Sequence, residues 1–580
     1  MPDEKLILDY VYEHEASHRN EVLLTQPLGG GKAVDYSWRE ALDEARRMAT
    51  HLQRMGLVRG DHVAILSKNC AHFVIAELAI WIAGCTTVAI FPNERSSTVN
   101  FVLEHSDAKL LFVGKLDNWD KQHVPQQMRC IALPLAPAAL GERWDGIIAR
   151  TEALAGRPAR AADDLAMLIY TSGSTGLPKG VMHTFGRITR AVEGIIRTIL
   201  QPFGADEEIR MFSYLPLAHV YERSGLECLA LIRGKTRIYF AESASTFVAD
   251  LKRARPCVFY SVPRLWLKFQ RAVFTKIAPA RLDVLLSIPL LRWLVAKSIL
   301  ARLGLNHVRL AGSASAPIPA EVIKWYRRLG LNLLEGYGMT EDFGYSHASS
   351  NHCNAPGYVG VPYEGVEVRL GEGNEILVNS PGQFIGYYKR ADLDAESFTR
   401  DGFFRTGDVG ERRADQLLKI TGRIKEIFKT AGGVYVAPAP IENMLNEHPM
   451  VELSLVSGLG REAPYAMIVL AEEVRESVDD PSKKLAIESE LTHLLDKLNQ
   501  TLLSSERLHM LVALTDPWTI ENDLLTPTLK IKRKRIEALA DGQLDAWYRA
   551  GVQLIWGRLI AASDALPSTG EVVTEEGCRA

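Results

Sequence analysis

Residues 170–181 read Tyr170-Thr171-Ser172-Gly173-Ser174-Thr175-Gly176-Leu177-Pro178-Lys179-Gly180-Val181, and this stretch decides the fold. The apolar run from Leu165 to Tyr170 leads into it and predicts a buried strand. The small hydroxyl residues and glycines that follow let a backbone wrap closely around a phosphate, and Lys179 adds a positive charge. The stretch therefore predicts a phosphate-binding loop at the end of a strand.

Two other interpretations of this stretch are weaker. The P-loop of common NTPases needs Gly-x-x-x-x-Gly-Lys followed by Ser or Thr. Here Gly176 precedes Leu177, and Lys179 precedes Gly180, so the pattern does not match. A flexible Ser/Gly linker rarely ends in Pro-Lys-Gly and rarely follows a buried strand.

The composition of the chain is that of an ordinary globular protein. Its 580 residues are 47% apolar and 24% charged, and 67 basic against 70 acidic residues give a net charge of −3, so nothing indicates a nucleic-acid partner. Seven scattered cysteines without Cys-x-x-Cys spacing predict neither disulfides nor a zinc site, and they fit a reducing, cytoplasmic location. We expect no signal peptide in Met1–Lys5 and no membrane-spanning helix.

Helical and apolar segments alternate along the first half of the chain. The spacing predicts helices over Ser37–Met55 and Phe73–Gly84, and strands over His62–Leu66 and Thr86–Phe91. This alternation predicts an α/β fold with mostly parallel, helix-wrapped sheets. Residues 358–422 are richer in glycine and short alternating segments, so we expect a β-rich subdomain there. The predicted domains are 1–422, a smaller α+β C-terminal domain over 423–562 and a frayed tail over 563–580.

The segment Leu251–Leu310 contains twelve Lys or Arg residues and one acid, Asp283. Its apolar part, Leu282–Leu305, is too polar to span a bilayer and suits an amphipathic segment on a membrane surface. The basic residues that interrupt this part are Arg292, Lys297 and Arg302. A helical pair packed on the sheet is an equal alternative. That alternative would bury Leu286, Ile288, Leu290, Leu291 and Leu294.

The stretch at 170–181 resembles the phosphate loop of the adenylate-forming (AMP-binding) superfamily. Five further blocks resemble this superfamily in the same order along the chain. They are Leu215–Arg223 (LPLAHVYER), Gly336–Glu341 (GYGMTE), Arg405–Asp408 (RTGD), Ile420–Arg423 (ITGR) and Thr526–Arg533 (TPTLKIKR). The blocks at 215–223 and 526–533 are similar to the long-chain fatty acyl-CoA synthetase branch.

The resemblance implies a fatty acid–CoA ligase for medium or long chains. In such enzymes a carboxylate attacks the α-phosphorus of ATP, and the thiol of coenzyme A then expels AMP. The implied cofactors and partners are ATP, Mg²⁺, coenzyme A and a fatty acid, with a mobile C-terminal domain that turns near Gly422-Arg423. Many relatives carry Asp at the position of Gly422, which leaves the hinge less certain than the activity.

The same resemblance assigns the site residues. It implies phosphate binding by the loop and Lys179, α-phosphate contact by Thr340, Mg²⁺ binding by Glu341 with Thr171, and charge stabilisation by Lys530. Tyr337 would stack on adenine, Asp408 would bind the ribose hydroxyls, and Arg423 would reach the ribose or phosphate edge. The implied nucleotide and coenzyme residues are Thr171, Ser172, Gly173, Ser174, Thr175, Gly176, Gly336, Tyr337, Gly338, Asp408, Arg423, Gly432 and Gly433.

Three of these assignments have plainer interpretations. His219, implied to lie beside the acyl channel, could be a packing residue, and its spacing from Glu222 is too little for a metal site. Lys530 could belong to a solvated basic run, although the preceding Thr-Pro-Thr-Leu argues against that. The pair Gly432-Gly433, implied to admit the pantetheine arm, is also compatible with a simple hairpin turn.

Other functions fit the same motifs. The acyl-adenylate could pass to a carrier protein instead of coenzyme A, and a luciferase-type oxidase is a more distant alternative on the same fold. A non-catalytic nucleotide-binding protein that docks on membranes belongs to a different class. The presence of both Glu341 and Lys530 argues against that last alternative.

Overall fold

The computed structural model describes residues 4–117, 119–138, 141–172 and 177–559. One sheet has seven strands, and only its last pair is antiparallel. In spatial order these strands are Glu142–Arg143, Cys130–Ala132, Leu110–Val113, His62–Leu66, Thr86–Ile90, Leu165–Ser172 and Pro178–Thr184. The strand predicted before the phosphate loop is confirmed and extends to Ser172.

A second sheet has nine strands with a parallel centre and antiparallel edges. In spatial order they are Val361–Pro362, His347–Ala348, Leu333–Tyr337, Leu310–Ser313, Val258–Ser261, Ile209–Ser213, Thr236–Phe240, Val22–Gly29 and Lys32–Ser37. The helices of this part of the chain are Ile7–Ser17, Trp38–Arg54, Ala71–Ile82, Ser96–His105, Trp144–Arg150, Phe185–Ile199, Val220–Glu222, Cys228–Arg233, Phe247–Ala254, Pro263–Phe274, Pro279–Ser287, Pro289–Leu303, Ala320–Arg328 and Ala391–Ser397. The predicted α/β class with helix-wrapped sheets is confirmed.

The helix Trp38–Arg54 shows how local sequence sets these elements. Ser37 caps it, because its hydroxyl accepts the Glu40 N–H at 3.3 Å while the Glu40 carboxylate accepts the Ser37 N–H at 2.9 Å. The apolar residues that recur every three or four positions are all buried. They are Trp38, Ala41, Leu42, Ala45, Met48, Ala49 and Leu52. This stripe packs against Ala71–Ile82, a helix that is buried on every side.

The β-rich subdomain is an antiparallel sheet of four strands. The strands are Glu367–Leu370, Glu375–Asn379, Phe404–Arg412 and Leu418–Arg423. The expected hinge pair, Gly422-Arg423, lies inside the last strand, where Asp408 pairs with Arg423 and Val409 with Gly422. The strand pairing therefore extends to Arg423, the last residue of this strand.

The C-terminal part has its own small sheets and helices. Its strands are Phe428–Lys429, Tyr435–Val436, Val451–Ser457, Tyr465–Leu470, Leu511–Leu514 and Leu554–Gly557, and its helices are Pro438–Asn446, Glu472–Arg475, Pro481–Thr501 and Arg533–Ala550. This is the α+β composition that the sequence predicts. The tail predicted over 563–580 lies outside the described residues.

The basic segment folds as surface helices that are only partly packed. Leu286 is buried, but Ile288, Leu291 and Leu294 are 45%, 37% and 50% exposed, so the packed-pair alternative is wrong for these three residues. The side chain of Leu290 lies outside the described part of the chain. Among the residues that the structure describes, no helix is both long and apolar enough to cross a bilayer.

A buried ion cluster ties the first sheet's helix to the second half of this domain. The Arg223 guanidinium donates to both oxygens of Glu77, at 2.6 and 2.5 Å, and lies 3.3 Å from Glu227. All three side chains are fully buried. One cation can balance only one of two buried carboxylates, and burial with the nearby Glu77 charge raises the pKa of Glu227 well above its usual range.

Replacing Arg223 by Met should destabilise the protein by about 3–5 kcal/mol, because it leaves a buried carboxylate without its cation. The measurement is the free energy of unfolding in urea, followed by tryptophan fluorescence. The control is Arg413→Met, which removes an exposed pair with Asp415 and should leave the unfolding midpoint unchanged. Equal effects of the two changes would contradict this account.

Candidate active site

Residues from both large sheets, the β-rich subdomain and the C-terminal part line one continuous cleft. The predicted site residues that line it are Thr171, Lys179, His219, Gly336, Tyr337, Gly338, Thr340, Glu341, Asp408, Arg423 and Lys530. Thr171, Gly336 and Tyr337 lie in the last residues of strands with parallel neighbours, and Gly338 follows directly, which is where α/β sheets generally bind ligands. The structure thus brings together residues that are up to 360 positions apart in sequence.

The phosphate loop joins two antiparallel strands at one edge of this cleft. Thr171 lies opposite Lys179 in the strand pairing, and Ser172 lies opposite Pro178. The predicted loop residues Gly173, Ser174, Thr175 and Gly176 lie outside the described residues. What the structure gives is the register that brings the Thr171 and Lys179 backbones side by side at the mouth of the loop.

Lys179 and Glu341 meet across a tyrosine that sequence reasoning missed. The Tyr387 hydroxyl donates to Glu341 Oε1 at 2.7 Å, and the Lys179 ammonium lies 5.0 Å from the centre of the Tyr387 ring. Burial lowers the pKa of Lys179, and the Glu341 charge partly opposes that shift. A lysine, a tyrosine and a carboxylate therefore form one connected group.

The turn that carries Glu341 is stabilised by the next residue, Asp342. Asp342 Oδ1 accepts the N–H groups of Met339 and Gly344, both at 2.9 Å. Burial raises the pKa of Asp342 to about 7. His183 donates from Nε2 to the Thr340 carbonyl at 2.7 Å. Asp342 and His183 therefore stabilise the backbone of the turn from its buried side, and among the described residues the Glu341 side chain takes no part in holding the turn.

Asp408 is shared by two other predicted residues. Its Oδ2 accepts the Tyr337 hydroxyl at 2.7 Å, and its Oδ1 lies 2.7 Å from the Arg423 Nε. Asp408 is buried, whereas the Arg423 side chain is half exposed. The carboxylate therefore fixes the Tyr337 ring and anchors the end of the last strand before the C-terminal part.

Lys530 is presented by a tight turn over residues 526–530. The Thr526 N–H donates to the Lys530 carbonyl at 2.8 Å, the Lys530 N–H donates to the Thr526 hydroxyl at 3.1 Å, and Leu529 adopts a left-handed φ of 62°. The Lys530 residue is exposed to solvent and lines the cleft. Desolvation there and the positive charge of Arg423 lower the pKa of Lys530 to about 8. The exposure of Lys530 leaves its role a prediction, and its place among the residues that line the cleft is what supports that role.

His219 lies close enough to Lys530 for the lysine charge to affect the pKa of the imidazole. Its Nδ1 accepts the Tyr221 N–H at 3.2 Å, and burial, with the Lys530 charge, lowers its pKa to about 3. The ring is thus neutral and lines the cleft. Glu222 points elsewhere and accepts from the Ser213 hydroxyl at 2.7 Å, so the two side chains do not converge as a metal site would require.

Gly432 and Gly433 lie apart from this group. They occupy an exposed turn that Thr430 closes, with the Gly433 N–H donating to the Thr430 carbonyl at 2.9 Å, and they do not line the cleft. Gly433 has φ +83°, so any side chain there is strained, whereas a Cβ at Gly432 would meet nothing closer than 3.9 Å. In this domain arrangement the hairpin-turn interpretation describes both glycines.

Comparisons with known proteins agree with the geometry of the cleft. Residues 12–388 match the model of the AMP-binding enzyme family, and residues 426–551 match that of the AMP-binding enzyme C-terminal domain. The chain belongs to the AMP-binding enzyme family. It is 30% identical to a long-chain-fatty-acid–CoA ligase, FadD15, of Mycobacterium bovis over 93% of this chain and 96% of that protein. It is 28% identical to long chain acyl-CoA synthetase 2 of Arabidopsis thaliana over 91% and 90%.

Solved structures share this fold at lower identity. The adenylation and carrier-protein didomain of a Segniliparus rugosus carboxylic acid reductase with AMP aligns with a TM-score of 0.77 and 22% identity, over 94% of this chain and 82% of that one. An anthranilate CoA ligase with anthranoyl-AMP aligns with a TM-score of 0.75 and 20% identity, over 94% and 99%. At such identities the likeness establishes the family fold and no more.

The pKa of Lys530 gives a pH prediction for this AMP-binding enzyme. Because Lys530 loses its proton as the pH rises through about 8, kcat/KM for ATP in pyrophosphate release should fall above that pH. Lys530→Arg keeps the positive charge to much higher pH, so its alkaline limb should move up by more than one pH unit. An unchanged limb in Lys530→Arg would assign the titration to another group.

Proposed function

We propose that this protein is an ATP-dependent fatty acid–CoA ligase acting through an acyl-adenylate on medium or long chains. The observation that carries the proposal is the position of Lys530, which the C-terminal part places in the same cleft as Lys179 and Glu341. A carboxylate oxygen attacks the α-phosphorus and displaces pyrophosphate. The thiol sulfur of coenzyme A then bonds to the acyl carbon, AMP leaves, and the thiol proton is released.

The first half-reaction brings an anion towards a polyanion. Positioned positive charge and hydrogen-bond donors therefore carry most of the rate enhancement. Lys179 and the loop over 171–176 serve the β- and γ-phosphates, Thr340 serves the α-phosphate, and Lys530 bridges the attacking carboxylate and the α-phosphate. Tyr337 stacks on adenine.

Ribose binding fits the carboxylate of Asp408. Each carboxylate oxygen has two lone pairs, so Asp408 can hold Tyr337 and Arg423 and still accept from ribose hydroxyls. His219, a neutral ring beside Lys530, borders the acyl channel.

Glu341 fits the metal requirement of such a reaction. Mg²⁺ is usually bound through one or two carboxylates together with substrate phosphates. The Tyr387 hydroxyl donates to one oxygen of Glu341, and Glu341 with Thr171 would be the protein ligands of the ion. When bound, the ion would neutralise phosphate charge.

The decisive test measures ATP- and CoA-dependent turnover of purified protein over a series of saturated acids from C6 to C20. Pyrophosphate release and free acyl-CoA are measured separately. We expect both products, with a maximum at medium or long chains. Adenylate without acyl-CoA would favour transfer to a carrier protein, and neither product would favour the non-catalytic alternative.

Two substitutions should separate the half-reactions. Lys530→Ala should reduce adenylate formation about 100- to 1,000-fold, as is typical for loss of one preorganised donor, while sparing thioester formation from supplied acyl-adenylate. Gly432→Leu should do the opposite, because its side chain would narrow the path of the pantetheine arm after the C-terminal domain turns. Gly432 is the better target of the pair because its backbone tolerates a side chain.

Matched controls accompany these two variants. Gly204→Leu places the same side chain at another exposed loop position, where an added Cβ would likewise meet nothing closer than 3.9 Å, and it reports the effect of a new exposed leucine alone. Equal loss in both half-reactions for Lys530→Ala would contradict the assigned role. Normal acyl-CoA output from Gly432→Leu would leave Gly432 as a turn residue.

We also propose that the helical hairpin over 279–303 docks the protein on an anionic cytoplasmic membrane face. The hairpin exposes five large apolar side chains, Val284, Ile288, Leu291, Trp293 and Leu294. Basic residues accompany them, and the Lys297 ammonium lies 4.8 Å from the centre of the Trp293 ring. Apolar area combined with positive charge is what peripheral membrane binding requires, and long-chain acids partition into bilayers.

Charge reversal should weaken this binding in a salt-dependent way. Lys297→Glu with Arg302→Glu should lower co-sedimentation with anionic liposomes, since each basic residue near the surface adds about 1 kcal/mol. Arg292 is left intact because its Nε donates to the Arg328 carbonyl at 2.9 Å within the fold. Trp293→Ser should weaken binding at both low and high salt.

The control for these variants is Lys32→Glu with Arg54→Glu, which changes the net charge equally at exposed positions outside the hairpin. It should retain liposome binding. Two outcomes would contradict docking through this hairpin. One is liposome binding that does not depend on the lipid charge, and the other is an equal loss of liposome binding in the control variant.

A further inference from the structure

One buried side chain in the cleft has an unmatched polar atom and no role in the proposed chemistry. His347 is 1% exposed and lines the cleft. Its Nδ1 lies 2.9 Å from the Ser346 hydroxyl, but its Nε2 has no hydrogen-bond partner among the described residues. Buried polar atoms are almost always paired, so an unpaired one that borders a ligand cleft points to a missing ligand atom.

The position of His347 identifies which part of the ligand it faces. His347 pairs directly with Tyr337 on the neighbouring antiparallel strand, so the two side chains share one face of the sheet. Their ring centres are 5.9 Å apart. The Tyr337 ring is itself fixed, because its hydroxyl is held by Asp408. A base stacked on Tyr337 would therefore present its edge within the reach of His347.

A ligand group beside Tyr260, which also lines the cleft, is a poorer candidate for this contact. Tyr260 pairs with Gly312, and Gly312 pairs with Leu334. Side chains alternate between the two faces of a strand, so Leu334 and Tyr337 lie on opposite faces. The cleft residues around Tyr260 therefore belong to the other face of the sheet from His347.

The protonation state of His347 suits recognition of a neutral base. Burial, with the charge of Arg412, lowers its pKa to about 3, so the ring is neutral at physiological pH. One ring nitrogen of a neutral imidazole donates and the other accepts. Adenine offers both kinds of partner along its edge, ring nitrogens that accept and an exocyclic amino group that donates.

We propose that His347 Nε2 forms a hydrogen bond with the polar edge of adenine and so sets the preference of this site for ATP. The assignment rests on the proposed nucleotide site and adds a residue that reads the base. Tyr337 holds the plane of the base by stacking, which every purine permits. His347 distinguishes one purine from another.

Two near-isosteric variants separate the ring atoms. His347→Asn keeps a polar atom near Nδ1, beside Ser346, and removes the one at Nε2, whereas His347→Gln keeps a polar atom near Nε2. The Kd of ATP is measured by calorimetry, together with ATP analogues that lack the 6-amino group, N1 or N7. Direct binding is used so that loss of turnover is not mistaken for loss of base recognition.

We expect the same loss of affinity whether the hydrogen bond is removed from the nucleotide or from the protein. One analogue should bind the unmodified protein about 3- to 10-fold more weakly than ATP, as for one neutral hydrogen bond. His347→Asn should bind ATP more weakly by the same factor and no longer distinguish that analogue. His347→Gln should bind ATP within about twofold of the unmodified protein.

Other outcomes overturn the proposal. If all three analogues bind the unmodified protein as ATP does, His347 reads no base atom, and this holds even if a variant fails to fold. If both variants lose affinity equally while the analogue penalties persist, His347 has only a packing role. A protein that binds no ATP at all would instead contradict the proposed function.

Discussion

The Asp408 carboxylate is the contact on which the arrangement of the site depends. It is buried, and it joins the Tyr337 ring of the nine-stranded sheet to Arg423 at the end of the β-rich subdomain. Burying a carboxylate without hydrogen-bond donors would cost free energy. The Tyr337 hydroxyl and the Arg423 guanidinium therefore stabilise Asp408, and Asp408 in turn fixes both of those side chains. Through this one group the proposed adenine platform, the ribose acceptor and the departure point of the C-terminal part are fixed relative to one another.

The positive charge of the cleft also depends on the partners that its carboxylates already have. Lys179 and Lys530 approach from opposite parts of the chain, and desolvation lowers the pKa of each. In the part of the chain that the structure describes, neither ammonium forms a tight ion pair, because Glu341 is oriented by Tyr387 and Asp408 is shared by Tyr337 and Arg423. Both cations therefore remain available to a polyanion, which is what preorganised electrostatic stabilisation requires.

The sequence predicted the fold class and the family correctly because those depend on local patterns. The strand before Thr171 and the helix after Ser37 are visible as apolar periods and caps. Tyr387, Asp342 and His347 could not be found this way, since their significance arises only when distant strands pair, as Val181 does with Tyr387. The exposed face of the 279–303 hairpin was equally hidden, because composition alone does not tell which side of a helix meets the protein. The site roles and the domain boundary at 422–423 stay predictions.

The contacts between the two parts of the chain differ in kind from those within each part. In the described chain every large apolar cluster belongs to one side of Arg423. The hydrogen bonds and ion pairs across the boundary include the pair of Arg264 with Glu452 and the 3.6 Å approach of Arg95 to Asp523. Partly exposed pairs of this kind contribute about 0–1 kcal/mol each. An interface built from them can hold Lys530 in the cleft for adenylate formation, yet it opposes rotation far less than a shared apolar core would. A boundary with such pairs and no shared apolar cluster therefore suits both the orientation seen here and the domain rotation proposed for the second half-reaction.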